Sequence, residues 1–226
     1  MVGNYEICQM EILLVAATRF EIQPTIVLLE KAQGLVNGHI INVLITGVGQ
    51  VNTTYQLTDA LQNKKPQLII QAGIAGAFIN GLNLGETVMV AQDTFGDVGM
   101  EEKGRFTTLF DAGFAEKNEP PFTNGWLVNN HELINNSGLA CAKAITVNKV
   151  SDSLSQRQQL LHHFAPEVES MEGAAFHFVC LHKKIPFLQV RTISNEVGER
   201  DKSKWVIKEA INNLNIEFKK LINQLT

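Results

Sequence analysis

Short apolar runs alternate with amphipathic segments along most of the chain. The apolar runs predict seven strands, at residues 11–17, 40–46, 67–72, 86–91, 143–147, 168–171 and 187–193. The amphipathic segments predict five helices, at residues 22–32, 53–63, 155–163, 173–183 and 204–225. Several strands are apolar on both faces, which is typical of strands buried between two layers of helices. The order of the elements therefore predicts an α/β fold.

The stretch 93–130 interrupts this alternation. It is rich in glycine and contains Pro120 and Pro121, so it predicts a long excursion from the sheet. Loops of this length in a compact domain usually have functional reasons.

Composition limits the classes of protein to consider. The 226 residues, 45% hydrophobic and 19% charged, are enough for one well-buried domain, which we expect over residues 1–226. A net charge of -4 gives no reason to expect binding to nucleic acid, whose phosphates are held by clustered Lys and Arg. The longest apolar runs have strand length and the first residues lack a signal-peptide pattern, so we expect no membrane or export role.

The cysteines and histidines do not form a metal-binding pattern. Cys8, Cys141 and Cys180 are odd in number and far apart, which favours reduced thiols in a cytoplasmic protein. His177 and His182 are five residues apart, rather than the four that would place them together on one helix face. We therefore expect no metal site.

The first glycine segment, residues 47–52, follows a predicted strand and precedes a predicted helix. A dinucleotide-binding loop would need a third glycine where Asn52 stands, and an acidic residue about 20 residues later, where Gln67 and Gln71 occur instead. Two interpretations stay open: a tight strand-to-helix turn, or a loop that contacts a phosphate or ribose.

The second glycine segment, residues 71–77, contains small residues at the end of another buried strand. These residues would let a ligand approach the backbone, and close packing of another element would explain them equally well. No Gly-Lys-Ser or Gly-Lys-Thr follows either glycine segment, so ATP is not indicated.

Polar side chains follow three predicted strands where each strand meets a helix. They are Glu21, Glu172 and Asn195. In an open α/β sheet, ligands bind in the crevice outside the carboxyl ends of the strands, so these side chains are candidates for a site. Each also has a simpler interpretation, as a first-turn helix acid or a turn residue.

Five segments in order resemble the nucleoside phosphorylase and nucleosidase superfamily. They are residues 17–21, 47–49, 72–76, 170–175 and 191–195. The resemblance covers most of the chain. It implies a nucleoside-phosphorylase-like three-layer αβα sandwich with a central mixed sheet, a small-molecule nucleoside as the partner, no cofactor and a homodimer or higher homo-oligomer.

Within that superfamily the chain resembles the 5'-methylthioadenosine/S-adenosylhomocysteine nucleosidases, with one departure. In those enzymes, Ser-Asp stands at the end of the strand that corresponds to residues 187–193, whereas this chain has Ser194 and Asn195 there. An Asn amide can donate protons to purine N7 and to a 6-oxo group, which favours hypoxanthine over adenine as the leaving base. Residues 94–102 and 194–201 are similar to the futalosine hydrolases, which release hypoxanthine and dehypoxanthine futalosine on a route to menaquinone.

The resemblance implies a role for each candidate residue. Asn195 would bind N7 and O6 of the base, Glu172 would accept hydrogen bonds from the ribose 2' and 3' hydroxyls, and Glu21 would position and deprotonate water. The implied substrate-binding residues are Ile74, Ala75, Gly76, Val150, Met171, Arg191, Ser194 and Trp205. Among these, Met171 and Trp205 would form apolar walls, and Arg191 and Ser194 would support the site by hydrogen bonding.

Three alternatives remain beside futalosine hydrolysis. A methylthioadenosine nucleosidase would use the same catalytic groups on an adenine substrate. A nucleoside phosphorylase needs cations around phosphate, yet the loop around Gly49 offers none and Glu21 would repel phosphate near the sugar. A non-catalytic nucleoside-binding module would be expected to lack the catalytic acids, and Glu21 and Glu172 are both present.

Overall fold

Buried apolar strands form the centre of the molecule in the computed structural model, which describes residues 9–78 and 81–225. The strands are β1 (Glu11–Ala16), β2 (Leu35–Val36), β3 (His39–Ile45), β4 (Leu68–Ala77), β5 (Thr87–Phe95), β6 (Gly99–Glu102), β7 (Arg105–Thr108), β8 (Leu127–Val128), β9 (Ala140–Thr146), β10 (Val168–Ser170) and β11 (Phe187–Glu196). The helices are α1 (Gln23–Lys31), α2 (Gln50–Ala60), α3 (Leu133–Asn136), α4 (Leu154–Phe164), α5 (Gly173–Lys183) and α6 (Ile207–Gln224).

Nine of the strands in the described residues form one mixed sheet, in the order β10-β9-β5-β11-β4-β1-β3-β2, with β8 added to β5. β3, β1, β4 and β11 are parallel, and β5 runs antiparallel to β11. β10 pairs with both β9 and β4. Five strands therefore close into a ring, while β1, β3 and β2 extend from it.

Helices cover both faces of this sheet, and the alternation of side chains along each strand explains why. Leu14 packs with α1 and α6, whereas the next residue, Val15, packs with α2 and α5. On β4, Ile70 likewise packs with α1 and α6, and Ile69 packs with α2 and α5. Successive strand residues point to opposite faces, so strands that are apolar throughout need a helical layer on each side. The predicted α/β class, a mixed sheet between helical layers, is confirmed.

Several elements are longer than the sequence pattern predicts, because strand pairing continues past the apolar runs. β4 extends through the second glycine segment to Ala77, and β11 extends to Glu196, since Asn195 and Glu196 pair with Gly76 and Ala77. The predicted excursion contains the end of β5, the β6–β7 hairpin and β8. α6 begins at Ile207, because a 3₁₀ turn occupies Lys202–Lys204.

A polar cluster is buried where β5, β9 and β11 meet the start of α5. Asp93 accepts hydrogen bonds from Thr146 Oγ1 at 3.0 Å and from Gln189 Nε2 at 3.2 Å. Thr146 Oγ1 in turn accepts from the backbone N–H of Ala174 at 2.7 Å. Burial raises the pKa of Asp93 from 3.8 to about 7, although these hydrogen bonds and the charge of Arg191 act in the opposite direction.

A protonated Asp93 also accounts for two atoms that have no hydrogen-bond partner among the described residues, Gln189 Oε1 and His177 Nε2. Burial lowers the pKa of His177 to about 4, so its ring is neutral near pH 7, and Nδ1 donates to the Leu127 carbonyl at 2.9 Å. After a half-turn of the Gln189 amide, Asp93 O–H donates to Gln189 Oε1 and Gln189 Nε2 donates to His177 Nε2. Each of these polar groups then has a partner.

We expect Asp93→Asn to become more stable relative to the wild type as pH rises from 5 to 8. The unfolded chain loses the Asp93 proton near pH 3.8 and the folded chain near pH 7, so ionisation of Asp93 lowers the stability of the wild type across this window, and the Asn variant lacks this one contribution. Since 1 kcal/mol shifts the Tm of a chain of this size by about 2–4 °C, the relative change in Tm should reach a few degrees.

The measurement is thermal unfolding of both proteins at pH 5 and pH 8. Asp59→Asn, an exposed substitution on α2, serves as the control and should keep the same Tm difference from the wild type at both pH values. A Tm difference for Asp93→Asn that does not change with pH would contradict a buried, protonated Asp93.

Candidate active site

A cavity of about 360 Å³ lies at the carboxyl ends of β1, β4 and β11, beside the turn that links β10 to α5. Ten of the predicted site residues line it: Glu21, Ile74, Ala75, Gly76, Val150, Met171, Glu172, Ser194, Asn195 and Trp205. The remaining one, Arg191, is 1% exposed and lies behind the cavity wall. The structure therefore brings together side chains from segments that are far apart in the sequence.

Glu21 sits in the turn between β1 and α1, and its carboxylate is held on both oxygens. Oε2 accepts from the backbone N–H of Thr18 at 3.0 Å and from its hydroxyl at 2.9 Å, and Oε1 accepts from the Ile74 N–H at 3.1 Å. A carboxylate has about four acceptor positions, so this side chain keeps capacity for a water or hydroxyl in the cavity.

Asn215, a residue that the sequence analysis did not identify, holds the Glu21 segment in place. Its side-chain oxygen accepts from the Thr25 N–H at 3.0 Å in the first turn of α1, and its amide nitrogen donates to the Glu21 carbonyl at 2.9 Å. α1 has no side-chain cap of its own, so α6 supplies this contact. An Asn within the apolar face of α6 was the signal available in the sequence.

Glu172 lies at the start of α5 and is 6% exposed. Oε1 accepts from the Gly49 N–H at 3.0 Å, and Oε2 lies 3.7 Å from Arg191 Nη1. Burial raises the pKa of Glu172 above its ordinary value, and the nearby charge of Glu21 adds to this effect. Arg191 and the Gly49 N–H lower the pKa in part. The site therefore holds a carboxylate largely shielded from water.

The two glycine segments are explained by these contacts. Gly49 has a φ of +95°, a conformation that glycine adopts without strain, and this turn points its N–H at Glu172. A Cβ on Gly73 would collide with Arg191 Nη1 and would lie 3.0 Å from Glu21 Oε1. The first segment is thus a tight turn, and its Val48 also lines the cavity. The second segment allows close packing at Gly73, while its Gly76 lines the cavity.

Asn195 reaches the cavity from an irregularity in β11. The pairing register with β4 shifts between Ile193 and Asn195, and such a bulge re-aims side chains. The Asn195 oxygen accepts from the Ser194 hydroxyl at 2.8 Å, and its nitrogen donates one proton to the Glu196 carbonyl at 2.9 Å. One amide proton therefore remains available without breaking a contact.

Glu169 and Ser151 also line the cavity, although neither is among the residues predicted from the sequence. The Glu169 carboxylate accepts from the Ser151 N–H at 3.1 Å and from its hydroxyl at 2.6 Å. A carboxylate in a short buried strand, two residues before Met171, was the signal in the sequence. The Trp205 ring is fixed by a hydrogen bond from Nε1 to the Glu199 carbonyl at 3.0 Å.

The described residues also bear on metal binding, cysteine chemistry and membrane insertion. In residues 9–78 and 81–225, no three His, Cys, Asp or Glu side chains are grouped so that they could hold a metal ion. Cys141 and Cys180 are free thiols, and Cys8 lies outside the described residues. None of the helices described has the length and apolar character needed to cross a membrane.

Known structures share this fold over nearly the whole chain. The nucleosidase MTAN of Helicobacter pylori, in a variant with 5'-methylthioadenosine in its active site, has a TM-score of 0.80 at 18% identity, covering 96% of this chain and 99% of that chain. The native futalosine hydrolase of Helicobacter pylori strain 26695 has a TM-score of 0.76 at 19% identity, covering 96% of this chain and 98% of that chain. At this level of identity, the similarity establishes the fold.

Sequence similarity establishes the family. The model of the phosphorylase superfamily matches residues 17–225. The futalosine hydrolase of Thermus thermophilus is 32% identical over 183 residues, which cover 79% of this chain and 80% of that protein. The chain therefore belongs to the phosphorylase superfamily and, within it, to the futalosine hydrolase family.

Proposed function

We propose that residues 1–226 act as one N-ribosyl hydrolase domain that cleaves futalosine into hypoxanthine and dehypoxanthine futalosine. The observation that carries this proposal is the combination of two buried carboxylates, Glu21 and Glu172, with the amide of Asn195 in one cavity. The relationship to the futalosine hydrolase of Thermus thermophilus supports the choice of substrate.

The two carboxylates match the needs of N-glycosidic bond cleavage. The bond breaks through a ribosyl group with cationic character, which fixed negative charge stabilises. Glu172 accepts hydrogen bonds from the ribose 2' and 3' hydroxyls, and its buried charge lies near the developing cation. Glu21 orients a water molecule and removes its proton as the oxygen attacks the anomeric carbon.

The third group, Asn195, recognises and stabilises the departing base. Its free amide proton is available to the edge of the purine that carries N7 and O6, and releasing the second requires loss of the 2.9 Å contact with Glu196. The Ser194 hydroxyl lies 2.8 Å from the Asn195 oxygen and 3.2 Å from the Ala75 carbonyl, and donation along the shorter contact leaves the Asn195 amide nitrogen as the donor for the base. Donation to N7 and O6 favours a 6-oxopurine.

The other cavity residues complete the substrate site in this proposal. Met171 and Trp205 form apolar walls for the sugar, the base or the 5' group, and Val150 contacts the base. The backbone and small side chains at Ile74, Ala75 and Gly76 let the substrate approach β4. Arg191 acts from behind the wall, since its guanidinium contacts Glu172 and Gln71.

Hydrolysis fits the charges in the cavity better than phosphorolysis does. Phosphate would need cations beside the sugar, where Glu21 and Glu172 supply negative charge instead. Arg191 is already paired with Glu172, and Arg200, which does line the cavity, lies beside the Trp205 ring. Water is therefore the attacking group in our proposal.

The proposed reaction also implies a setting for the protein. Cleavage of futalosine would place the protein in menaquinone biosynthesis, in the cytoplasm. We further propose a homodimer or higher homo-oligomer, in which a second copy covers the exposed Val51 and Tyr55 of α2. These side chains are 79% and 66% exposed and follow Val48, which lines the cavity.

Product analysis of the purified protein with futalosine, inosine and methylthioadenosine tests the proposed reaction. We expect futalosine to give free hypoxanthine at the same rate with and without phosphate, because among the described residues the cation that lines the cavity, Arg200, lies beside the Trp205 ring, and Arg191 is paired with Glu172. Chromatography with mass detection identifies the products. Formation of a ribose-1-phosphate derivative would show that the protein is a phosphorylase instead.

Glu21→Gln should lower turnover of futalosine by roughly 10²-fold or more while the fold is retained, because the amide cannot take a proton from water. Steady-state kinetics and circular dichroism measure the two quantities. Glu30→Gln is the matched control on α1, since the Glu30 side chain is 67% exposed and forms a surface ion pair with Arg19. Near-normal turnover in a folded Glu21→Gln protein would remove Glu21 from the mechanism.

Asn195→Asp should lower turnover of the hypoxanthine nucleoside and narrow or reverse the preference over adenine nucleosides. A protonated carboxyl can donate to N7 and accept from a 6-amino group, whereas the amide of the wild type meets a 6-amino group as donor against donor. Comparing kcat/KM for futalosine and methylthioadenosine in both proteins checks this. Faster cleavage of methylthioadenosine by the wild type would replace our proposal with a methylthioadenosine nucleosidase.

A further inference from the structure

Gly76 occupies a special position in the sheet, because it is the pairing partner of two cavity residues at once. On one side it pairs with Glu169 of β10, and on the other with Asn195 of β11. Residues that pair across neighbouring strands point to the same face of the sheet. The carboxylate of Glu169 and the amide of Asn195 therefore flank a position that has no side chain, and all three residues line the cavity.

The missing side chain at Gly76 leaves a flat floor between these two polar groups. A Cβ there would lie 3.3 Å from Asn195 Nδ2 and 3.0 Å from Val197 Cγ2, which is tighter than ordinary contact. With adjacent strands about 4.8 Å apart, the backbones of Glu169 and Asn195 are separated by roughly 10 Å. This separation suits one planar heterocycle held at its edge by a group on each side.

Glu169 has the chemistry of an acceptor with spare capacity. It is 6% exposed, and its two oxygens accept from the N–H and the hydroxyl of Ser151. Those two contacts use about half of the acceptor positions of a carboxylate. Burial raises the pKa of Glu169, and Asp97 adds to this, while the Ser151 hydrogen bonds and the charge of Arg200 favour the ionised form. Ionised, the carboxylate can only accept.

We propose that Glu169 is a specificity-determining residue that accepts the N1–H of a 6-oxopurine while Asn195 donates at the N7 and O6 edge. This inference rests on the proposed function and assigns the base-recognition step of the same site. Hypoxanthine carries a proton on N1, whereas adenine has a lone pair there. Adenine would therefore meet acceptor against acceptor at Glu169, in addition to donor against donor at Asn195.

The competing explanation is that Glu169 only anchors Ser151 and the turn that carries Val150. The two explanations differ in what a neutral side chain does. In Glu169→Gln, the oxygen can keep the Ser151 N–H and the amide nitrogen can face the Ser151 hydroxyl, with one N–H left over for the cavity. That N–H would meet the N1–H of hypoxanthine as donor against donor, whereas it could donate to the lone pair on N1 of adenine. If Glu169 only anchored Ser151, the substitution would weaken the binding of both bases in the same proportion.

The experiment measures, by calorimetry, the binding of free hypoxanthine and free adenine to the wild-type protein and to two variants. Glu167→Gln is the matched control, because it makes the same change two residues earlier, where the carboxylate accepts from the Lys143 N–H outside the cavity. We expect the wild type to favour hypoxanthine by about 10-fold or more. Glu169→Gln should weaken the binding of hypoxanthine by about 10-fold or more and should leave the binding of adenine unchanged or make it tighter. Glu167→Gln should change the affinity for neither base.

The proposal would be overturned if Glu169→Gln lowered the affinity for both bases in proportion or changed the affinity for neither. It would also be overturned if the wild type did not bind hypoxanthine more tightly than adenine. A second measurement needs no variant: 1-methylhypoxanthine, which lacks N1–H, should bind the wild type about 10-fold more weakly than hypoxanthine, and equal binding would also overturn it.

Binding of a free base does not depend on bond cleavage. A protein with the expected base preferences that leaves futalosine intact contradicts the hydrolase proposal and supports the role of Glu169. A protein that cleaves futalosine with base preferences unaffected by Glu169→Gln contradicts the role of Glu169 alone.

Discussion

Burial of the Arg191 guanidinium is the constraint on which the site depends. A charge that is 1% exposed is tolerated in a protein interior when it is paired and hydrogen-bonded. Arg191 donates to Gln71 at 2.8 Å and lies 3.7 Å from Glu172. Removing Glu172 would leave an uncompensated positive charge beneath the cavity, so the carboxylate at the start of α5 has a structural partner as well as a proposed role toward ribose.

Several features of the fold follow from accommodating this charge. Gly73 has no side chain because Arg191 Nη1 occupies the space that a Cβ would need, and Glu21 Oε1 lies close on the same side. Gly49 supplies an N–H to the oxygen of Glu172 that Arg191 does not approach. The neighbouring Asp93 reaches a pKa of about 7 through burial, and the positive charge of Arg191 only reduces that shift. The carboxylates that lie near Arg191 and can balance its charge are therefore Glu172 and Glu21.

Two pairs of cavity residues offer different chemistry. Glu21 and Glu172 bring negative charge, which would stabilise a cationic sugar and repel phosphate. Asn195 and Glu169 offer an amide donor and a carboxylate acceptor across Gly76, a combination that complements a 6-oxopurine. The closed ring of strands explains why these groups face one another, since β10 reaches β4 through that closure.

The sequence by itself determined the α/β class and three of the candidate residues, because both depend on local patterns. Apolar runs predict strands that are buried on both faces, and a polar residue after such a run indicates the crevice at the end of the strand. Glu21, Glu172 and Asn195 were identified in this way, and all three line one cavity. Their chemical roles stay a prediction.

Only the tertiary structure decided the contacts between distant segments. The hydrogen bond from the Ile74 N–H to Glu21 joins residues 53 positions apart, and the bond from Asn215 to the Glu21 carbonyl joins residues 194 positions apart. Pairing of β10 with β4 and the position of Arg191 behind the cavity wall likewise depend on packing between distant segments. The bulge that turns Asn195 into the cavity also arises from pairing with β4 rather than from its own residues. Hydrophobic periodicity records which face of an element is buried, but the partner that covers that face is chosen by packing.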